Sequence, residues 1–427
     1  MFNKISKEMK YNYPLIVKGI FIGIISGLVV SFYRFLIHNA ETISQSIYNF
    51  ARENLWAIIP LAAALIVMGI FVGYLTKKDP MIKGSGIPQI EGQIQGLFTI
   101  NWWRVLLLKI IGGTVSIVAG LSLGREGPSI QLGSAAAEGF AKGIKAKDDE
   151  KIHMITCGAS AGLAAAFNAP LAGMIFALEE VHKNFSPTVL LSALAASVTG
   201  DVVSKSIFGT DPVFNGWILT EFPLKHYIML PVLGIILGIC GWFYNKTLLG
   251  TQKLYKKINT KHTEFVMIIP FLCAGIAGLF MPDILGGGGR IISSLINREY
   301  VFTYILILLL AKFVFSMISF GSGAPGGIFF PLLVLGALVG TIFGYIAIEC
   351  FGVSEVFYLN FLFLGMVGMF TGIVRAPLTG IILIVEMSGS ITQLLSLSVV
   401  ALFAYLAAEF LGSEPIYDSL LENIKNK

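Results

Sequence analysis

Long apolar stretches alternate with short polar seams along nearly the whole chain. The apolar runs cover Pro14–Ile37, Leu55–Leu75, Trp103–Leu123, Met154–Leu178, Leu190–Phe208, Tyr227–Tyr244, Val266–Phe280, Phe302–Phe320, Phe329–Ile348, Phe357–Val385 and Leu394–Leu411. Crossing a bilayer as a helix takes about 20 residues, and most of the runs reach that length. The pattern predicts an all-α polytopic membrane protein. Several runs are interrupted by glycine or proline. Broken helices at membrane depth are tolerated only where they pack inside protein or line a cavity, so the interruptions mark where chemistry is to be sought.

The most informative interruption is Gly124-Arg125-Glu126-Gly127-Pro128. Gly127 and Pro128 read as a helix start, because proline in the first turn loses no hydrogen bond. A helix start offers free backbone N–H groups and a partial positive charge, which together attract an anion. The Glu126 carboxylate is tethered at that place, where it competes with any free anion, and a proton on it removes the competitor. The run therefore suggests an anion pathway coupled to protons.

The chain also repeats itself weakly. Ala169-Pro170-Leu171-Ala172-Gly173, followed by Glu179, resembles Ala376-Pro377-Leu378-Thr379-Gly380, followed by Glu386. Upstream, Pro128 with Leu132-Gly133 resembles Pro331 with Leu335-Gly336. The offsets are 207 residues for Pro170 and Pro377 and 203 for Pro128 and Pro331. Internal repeats with Gly/Pro interruptions in matching places point to a transport site. They give halves at approximately 14–210 and 226–427, joined near Thr210–His226, within a single transmembrane domain over 1–427 that carries no appended soluble domain. With the upstream offset, Glu126 corresponds to Phe329. One acidic and one apolar residue are then expected at helix starts facing a common centre.

Composition narrows the function classes. Only 13% of the 427 residues are charged and 55% are hydrophobic, with a mean hydropathy of +0.80; soluble domains carry roughly 25% charged residues. The net charge of +5 needs no nucleic-acid explanation. Cys157, Cys240, Cys273 and Cys350 lie far apart in apolar surroundings and read as packing residues, without disulfide or metal. The five histidines are scattered, and none makes a ligand cluster with another. No catalytic triad and no phosphate loop with a lysine is present, so an enzyme is not expected. The lysine-rich start, with Lys4, Lys7 and Lys10, favours a cytoplasmic amino terminus. No cleavable signal is evident.

Three further segments join the Glu126 run. Gly84-Ser85-Gly86-Ile87-Pro88 exposes amides and a hydroxyl before a proline-started helix. Gly321-Ser322-Gly323-Ala324-Pro325-Gly326-Gly327-Ile328-Phe329-Phe330-Pro331 is again glycine-rich before a proline, and Pro415-Ile416-Tyr417 offers a phenol. An anion that sheds water on crossing needs a shell that binds well but not too tightly, and partial charges suit that better than full ones. Among the charges, Lys109 lies inside an apolar run, where an ionisable residue is costly and functional by default. It supplies either a positive potential near the anion path or a structural pair with Glu91. Glu179 and Glu180 end another run beside His182 and Lys183, which also reads as a solvated helix end. Arg375 and Lys312 read as packed against carbonyls or snorkelling, His153 and His182 as interfacial, and Glu386 and Glu409 as structural.

In order and spacing, Gly84–Pro88, Gly124–Pro128, Gly323–Pro331 and the Tyr417 segment resemble the CLC family of chloride channels and proton-coupled chloride transporters. The resemblance implies a homodimer in the membrane, each subunit with its own pore built from two inverted halves with re-entrant helices. No appended soluble CBS domain is expected. It implies that Ser85, Tyr417 and the amides of Ile328 and Phe329 hold chloride, that Glu126 is the external gating glutamate, and that Glu180 loads protons from the cytoplasm. The Gly84, Gly86, Ile87, Pro88, Gly124, Arg125, Gly127 and Pro128 positions line the anion path, and Lys109 supports it electrostatically. Chloride and protons are then the substrates, with no cofactor and no metal, in the plasma membrane. A proton/chloride antiporter is expected; a passive channel gated by Glu126 is the alternative, against which Glu180 speaks. Fluoride exporters of the family depart from two of these motifs that this chain keeps, and a proline in place of Ser85 would favour nitrate.

Overall fold

The structure, a computed structural model, describes residues 2–214, 220–258 and 263–425, excepting the side chains of 2–12 and 263. The side chains of Lys4, Lys7 and Lys10 and part of the linker between the halves therefore lie outside the described residues.

The described chain is helical throughout. The first half comprises α1 (Phe2–Glu53), α2 (Ile58–Lys78), α3 (Ile87–Ile94), α4 (Trp102–Val118), α5 (Glu126–Gly143), α6 (Asp148–Phe167), α7 (Pro170–Phe176) and α8 (Pro187–Phe208). The second comprises α9 (Met229–Ile258), α10 (Thr263–Val266), α11 (Ile268–Phe280), α12 (Gly289–Ile296), α13 (Phe302–Gly321), α14 (Phe329–Phe351), α15 (Tyr358–Val374), α16 (Pro377–Ser388), α17 (Leu394–Phe410) and α18 (Ile416–Lys425). Among the described residues, eight stretches are long and apolar enough to cross a membrane, Tyr13–Glu53 and Phe329–Phe351 among them.

Two apolar runs that the sequence presents as continuous are broken. Met154–Leu178 divides between α6 and α7 at Asn168, and Phe357–Val385 divides between α15 and α16 at Arg375. Both break residues take the left-handed conformation, with φ of +56° and +70°, and both stand two residues before a proline that starts the next helix. Hydropathy is blind to such breaks because the flanking residues stay apolar.

The repeat has a structural counterpart. α5 starts at Glu126 and α14 at Phe329, with Pro128 and Pro331 as the third residue of each. The loops leading into them pair antiparallel: Gly124 and Gly327 each donate N–H to the other's carbonyl at 2.7 Å. α5 packs on α6 through Gly133, where a β-carbon would lie 2.2 Å from the Gly158 carbonyl oxygen. α14 packs on α15 through Gly336, where one would lie 2.4 Å from that of Gly365. Backbones this close exclude any side chain, which is how small residues let helices associate in a membrane.

α7 and α16 cap one another across the centre. Glu386 at the end of α16 accepts N–H bonds from Leu171 and Ala172 at 3.0 and 2.8 Å. Glu179, just past α7, accepts from Leu378 and Thr379 at 3.2 and 2.8 Å, and from the Thr379 hydroxyl at 2.7 Å. Each carboxylate satisfies orphan amides in the first turn of the opposite helix. Glu179, which also reads as a solvated helix end, is thus a half-buried cap.

One other expectation changes. Cys350 is exposed at the end of α14 rather than packed. His153 and His182 meet, with ring centroids 5.8 Å apart, and His182 Nδ1 lies 3.1 Å from Thr156 Oγ1. Arg375 donates to the Ser413 carbonyl at 3.2 Å, pairs with Glu409 and stacks over Tyr405.

Candidate anion and proton site

The motif loops converge because their backbones bond to one another. Gly84 N–H donates to the Gly323 carbonyl at 3.3 Å, and Gly326 N–H donates to Gly84 at 3.0 Å. Gly127 packs directly on Ser85, where a β-carbon would lie 2.7 Å from Ser85 Cβ. The Ser85, Glu126 and Phe329 segments, more than 240 residues apart at the extremes, thereby share one centre. Ser85 is buried, and its Oγ accepts from Ile87 N–H at 3.3 Å. Tyr417, the second residue of α18, is fully buried, and its hydroxyl has no hydrogen-bond partner.

Lys109 holds this centre from behind. It is fully buried, and its ammonium donates to the carbonyls of Ile82 at 2.9 Å and Gly84 at 2.6 Å. The Glu91 pairing considered from sequence does not form; Glu91 Oε1 pairs with Lys183 at 2.7 Å instead. Two carbonyls accept from the ammonium, so the positive charge is held beside the loop. Lys312 does the same in the second half, donating to Ile284 and Gly286 at 2.8 and 2.7 Å.

Two cavities approach the centre and share no lining residue. One, of about 330 Å³, is lined by Gly84, Ser85, Lys83, Tyr255, Lys256 and Gly323 among others. The other, of about 180 Å³, is lined by Glu126, Arg125, Gly124, Glu41, Arg290 and Phe330 among others. Between them the path is closed. Glu126 is 2% exposed and its Oε2 has no hydrogen-bond partner; Arg125 Nε stands 4.0 Å from Oε1. Beside it, the Phe329 ring lies among Phe370, Phe167 and Phe176, with centroids 4.7, 5.3 and 6.0 Å away.

Phe176 leads to the second carboxylate. Four residues on, Glu180 sits in a π-helical turn, Ala177–Val181, that follows α7. Such turns are rare and gather at functional sites. Glu180 is 4% exposed, its Oε1 has no partner, and it lines neither cavity. The sequence-predicted residues Ser85, Glu126, Ile328 and Phe329 are thereby brought together, and Tyr417 lies within electrostatic reach of Glu126. Glu180 joins them from the side of α7. The pairing of Lys183 with Asp418, next to Glu180 and Tyr417, is not legible in the sequence, because the two are 235 residues apart.

A family model described as "Voltage gated chloride channel" matches residues 68–409. This chain belongs to that family. Family relatives include the H(+)/Cl(-) exchange transporter ClcA of Vibrio cholerae, 32% identical over all of this chain and 93% of the relative. The transporter of the same name from Klebsiella pneumoniae is 36% identical over 87% of this chain and 80% of the relative. Among solved structures, a slow cyanobacterial Cl-/H+ antiporter superposes with a TM-score of 0.92 at 29% identity, over 97% of this chain and 98% of that one. Like other voltage-gated chloride channel family members, this chain is an integral membrane protein of broken helices.

Proposed function

We propose that this protein exchanges chloride for protons across the plasma membrane. The observation that carries the reading is a pair of buried, incompletely partnered carboxylates flanking one aromatic cluster: Glu126 lines a cavity and Glu180 lines none. A carboxylate at a helix start occupies the place an anion would take, and a protonated one leaves it. Glu126 alternates between those states. Glu180 supplies its proton from the other side, around the Phe329 ring rather than through the chloride position.

Chloride sits between the Ser85 hydroxyl, the Ile328 and Phe329 amides and the Tyr417 hydroxyl, whose missing partner is supplied by the anion. These donors are neutral, so binding stays weak enough for release. Lys109 adds positive potential without touching the ion. Chloride and protons are the substrates, and no cofactor takes part. The similarity to exchange transporters named above supports proton coupling over a passive channel.

Sidedness follows from charge. α1's amino-terminal half meets the start of α6 through Lys18 and Glu150, 2.7 Å apart. That face carries Lys142, Lys145, Lys147 and Lys151, and the larger cavity carries Lys83 and Lys256. We take the basic face as cytoplasmic under the positive-inside rule, with the amino terminus and Glu180 inside and the Glu126 cavity outside. The working unit is a homodimer with one pore per subunit. In liposomes, an imposed chloride gradient drives protons uphill; chloride flux that leaves pH unchanged on both sides would make the protein a channel.

A further inference from the structure

Glu180 shares its surroundings with charges that the exchange cycle leaves unused. Lys183 follows it by three residues and holds φ at +53°, the left-handed region that residues other than glycine adopt uncommonly. Its ammonium donates to Glu91 Oε1 at 2.7 Å and pairs with Asp418. Glu91 is 2% exposed and its Oε2 has no hydrogen-bond partner. Asp418 directly follows Tyr417 on α18, and α18 packs on α3, which carries Glu91. One lysine thus joins the segment after the proton glutamate to the helix of the chloride-site phenol.

The groups acting on Glu180 are few. Lys183 attracts its negative charge, whereas Asp418, Glu91 and Glu179 oppose it. Glu179 is occupied in capping α16. Tyr417 lies within electrostatic reach of both Glu180 and Glu126. His182 adds little charge: burial and its neighbour His153 hold its imidazole below the ordinary range. Burial works against the charge on Lys183, but its bonds to Asp418 and Glu91 leave the ammonium above the ordinary lysine range. It is therefore charged whenever the exchanger works.

We infer, resting on the exchange reading, that Lys183 is a positioning residue that ties the proton on Glu180 to the seating of Tyr417. With Glu180 protonated, the ammonium is shared by Glu91 and Asp418 and holds α18 against α3. When Glu180 ionises, a third carboxylate competes for the same three donors. The hold on Asp418 weakens, and Tyr417 is freed to let chloride pass. The proton state is transmitted to the chloride door by redistributing one cation.

The test is proton and chloride flux in liposomes against the pH on the Glu180 side, for the full chain and for K183Q, K183R, D418N and E180Q. Removing the lysine charge leaves Glu180 protonated to higher pH, so K183Q moves the midpoint of proton flux upward by about one unit or more. Removing the Asp418 charge acts oppositely, and D418N moves the midpoint downward. Both variants move fewer protons per chloride, and K183R restores the wild-type profile. A lysine that merely braces the fold would lower flux without shifts of opposite sign. Unchanged midpoints, or shifts in one direction for both variants, overturn the inference while E180Q still abolishes proton flux. Wild-type protein that moves no protons overturns the exchange reading itself, and this inference with it.

Discussion

Two lysines buried in apolar helices illustrate what a single residue does here. Lys109 and Lys312 each donate to two carbonyls of a glycine-containing loop, and only Lys109 holds the loop that carries Ser85. Replacing either by methionine removes two buried charge-assisted hydrogen bonds, at a cost of about 2–4 kcal/mol. K109M and K312M should both lower the melting temperature in detergent by similar amounts. K109M should weaken chloride binding by calorimetry several-fold more than K312M; equal effects on binding would deny Lys109 its place beside the anion. The sequence marks both lysines as out of place and reads Lys312 as packed against carbonyls, as it is, but it does not show that Lys109 binds carbonyls too. Carbonyl acceptors leave no signature in side-chain type, and so Glu91, an obvious opposite charge, stood out as a false partner for Lys109.

Among the elements, α7 and α16 depend on each other more than on their own propensities. Both are short, both start with proline, and each has its first amides satisfied by a carboxylate some 200 residues away. E179Q and E386Q remove the charge from these caps and should each destabilise the protein by about 1–2 kcal/mol. E179Q should cost more, since it also disturbs the bond from the Thr379 hydroxyl. Denaturation in detergent ranks the two, and an E386Q variant that melts below E179Q would contradict the cap assignment. The matching Pro170 and Pro377 runs, with a glutamate after each, make this pair legible as a repeat. That the two glutamates exchange places across the centre is not legible, because a repeat specifies similarity and not contact. Likewise Asn168 and Arg375 end helices through a left-handed turn that apolar flanks conceal.

For the whole molecule, the two halves meet where the loops into α5 and α14 pair, and in the inverted arrangement proposed for this chain the two helices run from there to opposite faces. α5 ends on the basic face and α14 ends at Cys350. With the basic face cytoplasmic, Cys350 should react from outside intact cells with a membrane-impermeant maleimide. A Lys147→Cys variant with the native cysteines replaced by serine should react only after the membrane is opened. Labelling of both from the same side would contradict the inverted arrangement. The Gly-Pro punctuation made the overall plan readable, since each motif sits at a helix start that the fold needs at its centre. The charge network behind Glu180 was not, since Lys183 finds its partners 92 and 235 residues away.

The central claim is that two carboxylates, one toward each side, handle a proton while sharing one chloride path. It is tested most directly by chloride-driven proton movement in liposomes for the wild type beside E126Q and E180Q. The account predicts uphill proton movement in the wild type and none in either variant, with E180Q still passing chloride. Proton movement that persists in E180Q, or is absent from the wild type while chloride flows, would contradict it.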